Sequence, residues 1–326
     1  MDYYRREWSV MELNVADNTV KSKPLTKRKN RKIKKVTKTD YVLAAIMLVV
    51  LVVTLYPFLN VLAISLNDAT DTARGGLHIF PRIFTIANYQ EVFASNGNLI
   101  LAFQNSVLRT IIGTILSTFS CAVLAYVISR KQFIFRKAVT VMLTLTMYIS
   151  GGLIPSFLVI KELGLINNFA VYIIPSLLSV FNVIIIRSFI DDLPDALEES
   201  AKIDGASDFT IFLKIIMPLC MPVLATVALF VAVGQWNSWF DTYLYARSNT
   251  DLTTLQYELM KIMDNASSMT SSDVNGINNE LMMSRKTTPE SIKMAVTVIA
   301  TVPILLVYPF LQKYFVSGLT LGAVKS

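Results

Sequence analysis

The residues able to do chemistry are few, and they cluster. The stretch DDLPDALEESAKIDGASDFTIFLKIIMP, residues 191–218, carries Asp191, Asp192, Asp195, Glu198, Glu199, Asp204 and Asp208 against Lys202 and Lys214. Carboxylates exposed on a short helix suit docking onto a basic protein surface, whereas an anionic membrane leaflet would repel them. Metal chemistry has little to work with. His78 is the only histidine, so a multi-histidine site is not available, and a Ser-His-Asp triad would rest on that one residue. Cys121 and Cys220 both fall in apolar runs and read as small buried hydrophobes. The pattern G-x-x-x-x-G-K-[ST] does not occur, so the chain has no loop of that kind to cradle nucleotide phosphates. No catalytic residue and no metal ligand is expected.

These residues are set in an apolar chain. Of its 326 residues 53% are hydrophobic and 16% charged, and the mean hydropathy is +0.52. Soluble proteins carry about 25% charged residues, so the composition points to the membrane. The net charge of +7 sits at the start: residues 1–39 hold 12 Lys or Arg and four Asp or Glu, a balance of +8, which leaves −1 for the other 287. KSKPLTKRKNRKIKK therefore reads as a basic cytoplasmic tail beside a membrane rather than a nucleic-acid or import signal. The apolar run that follows is longer than the roughly 7–15 residues of a signal-peptide core, so no cleavable signal is expected.

A membrane-crossing helix needs about 20 mostly apolar residues. Six segments qualify, at about 41–66, 106–129, 138–160, 169–190, 219–240 and 294–312. Arg109 lies near one end of the second and is expected to snorkel. The loop RKQFIFRK, 130–137, has four basic residues and no acid, which places it in the cytoplasm. With the basic tail and the C-terminal Lys313 and Lys325, it supports six crossings with both ends inside. Loops 67–105, 161–168 and 241–293 then face outward, and 191–218 is cytoplasmic. Glycines and prolines inside the segments, such as Pro57, Gly151, Gly152, Pro155, Pro175, Pro222 and Pro303, permit kinks and close helix approach. The expectation is an all-α membrane protein: a tail, 1–39, and one transmembrane domain, 40–326.

The cytoplasmic segment divides at Gly205. Before it, Asp191, Asp192 and Pro194 mark a helix start, and Leu193, Leu197 and Ala201 recur every four residues as one apolar stripe. Gly205 can take a backbone conformation that ends a helix. Ser207 is a cap for a second short helix, in which Phe209, Phe212, Leu213 and Ile216 form another stripe, closed by Pro218.

This segment resembles the EAA loop of ABC importer permeases, whose pattern is E-A-A, three residues, G, nine residues, I, one residue, L-P. Glu199, Ser200 and Ala201 take the first places, Gly205 follows after three residues and Ile215 nine later, and Met217 and Pro218 complete it. Ser200 stands where Ala is usual and Met217 where Leu is usual. Asn105-Ser106, WNSWFDTYLY (236–245) and the ending YPFLQKYFVSGLTLGAVKS (308–326) are similar to carbohydrate-uptake permeases of the MalG-like type. The long 241–293 loop with TLQYELMKIM looks like a subgroup importing complex oligosaccharides in Firmicutes-type bacteria. The resemblance covers about 40–326.

The resemblance implies a six-helix ABC importer permease of the type I, MetI-like fold, in which 191–218 is a coupling helix docked on a separate ATPase. Glu199, Ser200, Ala201, Asp204, Gly205, Ala206, Ile215 and Pro218 would form that contact, with Glu199 paired to a basic group of the ATPase. Gly318, Gly322 and Lys325 match a tail that reaches between two ATPases; Ser326 replaces the usual final glycine. The implied partners are a second related permease, two ATP-binding cassette subunits, an extracellular sugar-binding lipoprotein and membrane lipid, with no nucleic acid. ATP and Mg would sit on the ATPases, so the chain itself would bind no cofactor and would be no enzyme.

A sugar path needs hydrogen-bonding groups and flat aromatic faces. Tyr148, Asn182, Gln235, Trp236, Asn237 and Trp239 supply them, and such groups are costly against lipid, so most should face inward. An outer aromatic belt is the competing reading for Trp236, Trp239, Tyr243 and Tyr245. Two other functions compete. An ion-coupled secondary transporter would place ionisable residues near the membrane midplane, and none is read there. A membrane enzyme such as a glycosyltransferase would need acidic catalytic residues and a sizeable soluble domain, and neither is evident.

Overall fold

The computed structural model describes residues 37–76, 79–94, 97–272 and 287–323. The chain forms two units, Met1–Val53 and Thr54–Ser326, divided within the first long helix, α1 (Lys38–Ser65). The rest of the 1–39 tail, His78 and Lys325 lie outside the described residues. Every named element is helical, and among the described residues the one β-contact is an isolated bridge between Asn67 and Phe84.

Among the described residues three helices are long and apolar enough to cross a membrane: α1, α2 (Leu99–Ser129) and the Pro289–Val307 part of α8 (Pro289–Ala323). Two further candidates are bent. Phe169–Ser176, two short 3-10 turns, meets α5 (Val180–Asp191) at 47°, and Asp208–Leu219 meets α7 (Met221–Asn237) at 81°. The remaining segment read as a crossing, 138–160, is interrupted. It forms α3 (Arg136–Tyr148) and α4 (Leu153–Glu162), separated at Ile149–Gly152. Gly152 has φ +85°, a conformation that favours glycine and stops the ladder, so adjacent glycines end one helix and start another.

The centre of the larger unit is α2, packed on α5 and α7. Its inward face is a strict four-residue repeat: Asn105, Arg109, Gly113, Ser117, Cys121, Ala125 and Ser129 are all buried. That spacing keeps side chains on one helix face. The small members allow close helix approach, as in small-xxx-small packing. Gly113 is the closest point: a β-carbon there would lie 2.9 Å from Gln235 Nε2 of α7. Lower down, Cys121, Ala122, Ala125 and Ile128 join Val183, Ile186 and Ile190 of α5 and Val223, Leu224 and Val227 of α7 in one apolar core. Both cysteines are buried and free.

The charged segment hangs from this core. A short helix, α6 (Ala196–Ile203), ends at Gly205, whose φ is +78°. Gly205 N–H donates to Lys202 O and Ala206 N–H to Ala201 O, both at 3.0 Å, a Schellman closure. Ser207 Oγ then accepts from Thr210 N–H, the cap expected of it. The second half differs from the sequence reading. One α-turn, Asp208–Ile211, passes into a π-turn, Phe212–Ile216, and then Met217–Leu219. The wider i→i+5 turn rotates the following residues relative to a regular helix. Ile211, Phe212 and Ile216 enter the core, while Phe209 (65% exposed) and Leu213 of the expected stripe stay outside. In α6, Ala201 is buried, Leu193 just before it is half-buried, and Leu197 is exposed.

Candidate functional site

Two arrangements of polar residues stand out, one at α6 and one between α2 and α7.

At α6 the acidic residues separate into two groups. Arg130, the residue after α2, forms an ion pair with Glu198. Its guanidinium lies over the Tyr126 ring, 4.2 Å from the centroid, and donates to Ser129 Oγ. Burial pulls the Arg130 pKa below the usual arginine value, with Tyr126 and nearby carboxylates opposing the shift. Lys131 Nζ donates to Asp195 Oδ2 at 2.7 Å, and that bond holds the exposed Asp195 carboxyl below its ordinary pKa. Arg136 reaches Asp191 at 4.0 Å, and Arg187 meets the same carboxylate at 3.3 Å. Asp191, Asp195 and Glu198 are thus occupied by the chain's own basic loop, not offered whole to a partner as their exposure in sequence suggested.

The other group faces out. Asp192, Glu199 and Asp204 are exposed and take part in no ion pair among the described residues. Beside them Ile203 is 86% exposed and Phe209 also projects. Of the EAA-like positions, Glu199, Ser200, Asp204, Gly205 and Pro218 are at the surface, Ala206 and Ile215 are half-buried, and Ala201 is in the core. Acids and large apolar side chains on one unpaired corner are what a protein-docking surface needs, and α6 offers both.

Between α2 and α7 the sequence reading of Arg109 is corrected. Arg109 does not snorkel: it is 2% exposed, one turn from Gly113 on the packed face of α2. Its guanidinium donates to Gln235 Oε1 from two nitrogens, at 3.1 and 2.9 Å, and to Ser238 O at 3.3 Å. Asp241 accepts from it bidentately, and Tyr172 lies under it at 4.5 Å. Gln235 Nε2 in turn donates to Tyr172 O and Ser176 Oγ. An inward-facing charge at this depth is affordable because every donor direction is met. The repeat of Arg109 with the small residues at i+4, i+8 and i+12 is the signal that could have found it.

A cavity of about 450 Å³ opens beside this network, lined by Arg109, Ser117, Ser179, Asn182, Gln235 and Asp241 among others. The Asn182 side-chain amide, 5% exposed, has no hydrogen-bond partner among the described residues. The Ser117 hydroxyl finds only the weak thiol of Cys121 one turn on. Of the six residues read as a sugar path, only Asn182 and Gln235 line this cavity. Trp236 is buried elsewhere, in an apolar cluster, with its indole N–H on Ala300 O at 3.2 Å. Asn237 is exposed and accepts from Gln256 Nε2. Trp239 is half-buried in an aromatic group with Phe240 and Tyr243. Tyr148 is 83% exposed at the end of α3, a helix with no fully buried residue, and lines no part of the cavity.

Gly318 and Gly322 fall in the last turns of α8, and Lys325 lies outside the described residues. Among the described residues no group of His, Cys, Asp and Glu could hold a metal ion.

Residues 99–321 match the family described as binding-protein-dependent transport system inner membrane component. The chain is 37% identical over 286 residues to the polygalacturonan/rhamnogalacturonan transport system permease protein YtcP of Bacillus subtilis (strain 168), covering 88% of this chain and 98% of that protein. It is 32% identical over 296 residues to the galactooligosaccharides transport system permease protein GanQ of the same organism, covering 88% and 94%. Among solved structures, one chain of a bacterial ABC transporter involved in the import of the acidic polysaccharide alginate superposes with a TM-score of 0.73 at 25% identity, covering 86% of this chain and 99% of that one.

Proposed function

The chain belongs to the family of binding-protein-dependent transport system inner membrane components, and on that premise we propose how its parts serve transport. It is a permease subunit of a sugar-importing ABC transporter in a bacterial plasma membrane, and a transport subunit rather than an enzyme. Family membership removes the ground for an ion-coupled transporter, and the buried Arg109–Asp241 pair, saturated by its neighbours, offers no free carboxylate for ion coupling.

The finer reading runs as follows. The substrate is an oligosaccharide, in keeping with the named substrates of YtcP and GanQ. The chain crosses the membrane six times with both ends in the cytoplasm, α3 and α4 together making the broken third crossing. α6 is the coupling helix, docked on one of two ATPase subunits through Glu199, Asp204 and the exposed Ile203. A second permease completes the pathway, and an extracellular lipoprotein delivers the sugar. ATP and Mg sit on the ATPases, so this chain holds no cofactor. Gly318, Gly322 and Lys325 belong to a tail that reaches the ATPases. Within the subunit, Asn182 and Gln235 are the path residues best supported, because they line one polar cavity.

The observation that carries this reading is the outward corner of α6: unpaired carboxylates and a nearly bare isoleucine beside a glycine-closed turn. Co-purification tests it. Gentle detergent extraction of the tagged chain is expected to bring down an ATPase and a second permease. Recovery of the chain without either overturns the assembly.

A further inference from the structure

We infer that Arg130 is a positioning residue that ties α6 to the end of α2, so that α2 is the arm through which displacement of α6 enters the membrane part of the protein. The inference rests on the proposed docking of α6 for its functional meaning, and on geometry for its mechanical content.

A rigid connection from α6 along the backbone is missing on both sides. Downstream, the chain passes Gly205, the π-turn at Phe212–Ile216 and an 81° bend before α7 begins. Upstream, Asp192 closes α5 and Leu193 to Asp195 form a non-helical link. A push on α6 is therefore poorly passed to α5 or α7 by helix continuity. The contacts of Arg130 take another route. Its pair with Glu198 grips the α6 side that faces the protein, and its stacking on Tyr126 anchors the same guanidinium to the last turns of α2. Tyr126 also packs on Phe212 at 5.1 Å between centroids and donates its hydroxyl to Asp208 O at 3.4 Å, so one α2 turn holds both halves of the charged segment. Lys131–Asp195 and Arg136–Asp191 flank the clamp on the surface, where screening makes such pairs weak. Arg130 and Glu198 are the shielded pair, with side chains 23% and 16% exposed.

The arrangement also sorts the two adjacent glutamates. Glu198 faces inward on Arg130, and Glu199, about 100° further round the helix, faces out, free for a partner. Two turns of helix cannot hold this orientation by themselves, because α6 is shorter than the roughly 12–15 residues at which isolated helices become marginally stable.

Spin labels on the full-length chain in lipid nanodiscs test the clamp without any partner. Labels at Val127→Cys on α2 and Ile203→Cys on α6 occupy exposed sites, and the native cysteines are buried. A narrow distance distribution is expected for the parent chain, a broad one for Arg130→Ala, and narrow ones again for Arg130→Lys and for the swap Arg130→Glu with Glu198→Arg. An unchanged distribution in Arg130→Ala, or a swap as broad as the alanine variant, overturns the clamp. In the reconstituted transporter, with galacturonate and galactose oligomers as probes, Arg130→Ala should keep hydrolysing ATP while sugar moved per ATP falls about 5- to 150-fold, the range of ordinary coupling energies. Undiminished sugar per ATP refutes the functional half of the inference. Failure to retrieve an ATPase at all counts against the proposed assembly, and the spin-label result still decides the clamp.

Discussion

Gly113→Ala should destabilise the protein, although replacing glycine by alanine inside a helix ordinarily does the reverse. Alanine is favoured over glycine by about 0.8–1.0 kcal/mol in a helix interior. Against that gain stands Gln235. The new β-carbon would sit 2.9 Å from its Nε2, 3.0 Å from Cδ and 3.2 Å from Cγ. The amide is held on two sides, by Arg109 and by Tyr172 O and Ser176 Oγ, so it has no free direction in which to yield. Overpacking of this kind costs about 1–3 kcal/mol. If the amide swings away instead, four hydrogen bonds are lost, at about 0.6 kcal/mol each inside a membrane protein, or about 2.4 kcal/mol together. Once the helix gain is subtracted, the net loss is about 0–2 kcal/mol in the first case and about 1.5 kcal/mol in the second. The assay is thermal or denaturant unfolding of the detergent-solubilised chain, with Gln235→Asn as background. The shorter side chain makes room, so Gly113→Ala should cost less there than in the parent. A Gly113→Ala protein more stable than the parent, or one whose cost is undiminished in the Gln235→Asn background, refutes the close α2–α7 contact and with it the packed network around Arg109.

The Arg109–Asp241 pair gives a second test. Asp241→Asn leaves the buried Arg109 charge without its counter-ion and should cost about 3–5 kcal/mol in unfolding, Arg109→Met strands only the partly exposed Asp241 and should cost less on that account, and the double variant should cost clearly less than the sum; strict additivity would show that the pair is not coupled. A third concerns the cavity beside it. Asn182→Leu should raise the KM for uptake of galacturonate or galactose oligomers while the chain still assembles, because it removes the one unpartnered amide on the cavity wall; unchanged KM for both sugars would move the path elsewhere.

Much of the charged segment 191–218 was legible in sequence because its signals are local. Gly205, Ser207 and the alternation of acids and apolar residues need only neighbours along the chain to be interpreted, and the observed turn and cap follow from them. The π-turn was not legible, since Phe212–Ile216 has ordinary helical composition and is distorted by the core that takes Ile211 and Phe212 together. Arg109 was misread for a related reason. Its distance from the segment end suggested snorkelling, but the acceptors that hold it, Gln235 and Asp241, lie far along the sequence. The division of the acids is in part a long-range fact: the spacing of the EAA-like pattern singles out Glu199, but the engagement of Glu198 comes from Arg130 across the fold. The Gly151–Gly152 pair, which composition allows as a kink, is a full interruption of the helix.

In the proposed docking of α6, Glu199 is the charge that meets the ATPase. Measurement of sugar uptake and ATP hydrolysis together, in membranes carrying the Glu199→Lys chain, tests it most directly. The predicted result is loss of uptake, with Gly205→Asp behaving alike, while the complex remains in the membrane at parent levels. Normal sugar-dependent uptake by Glu199→Lys would contradict the role assigned to α6.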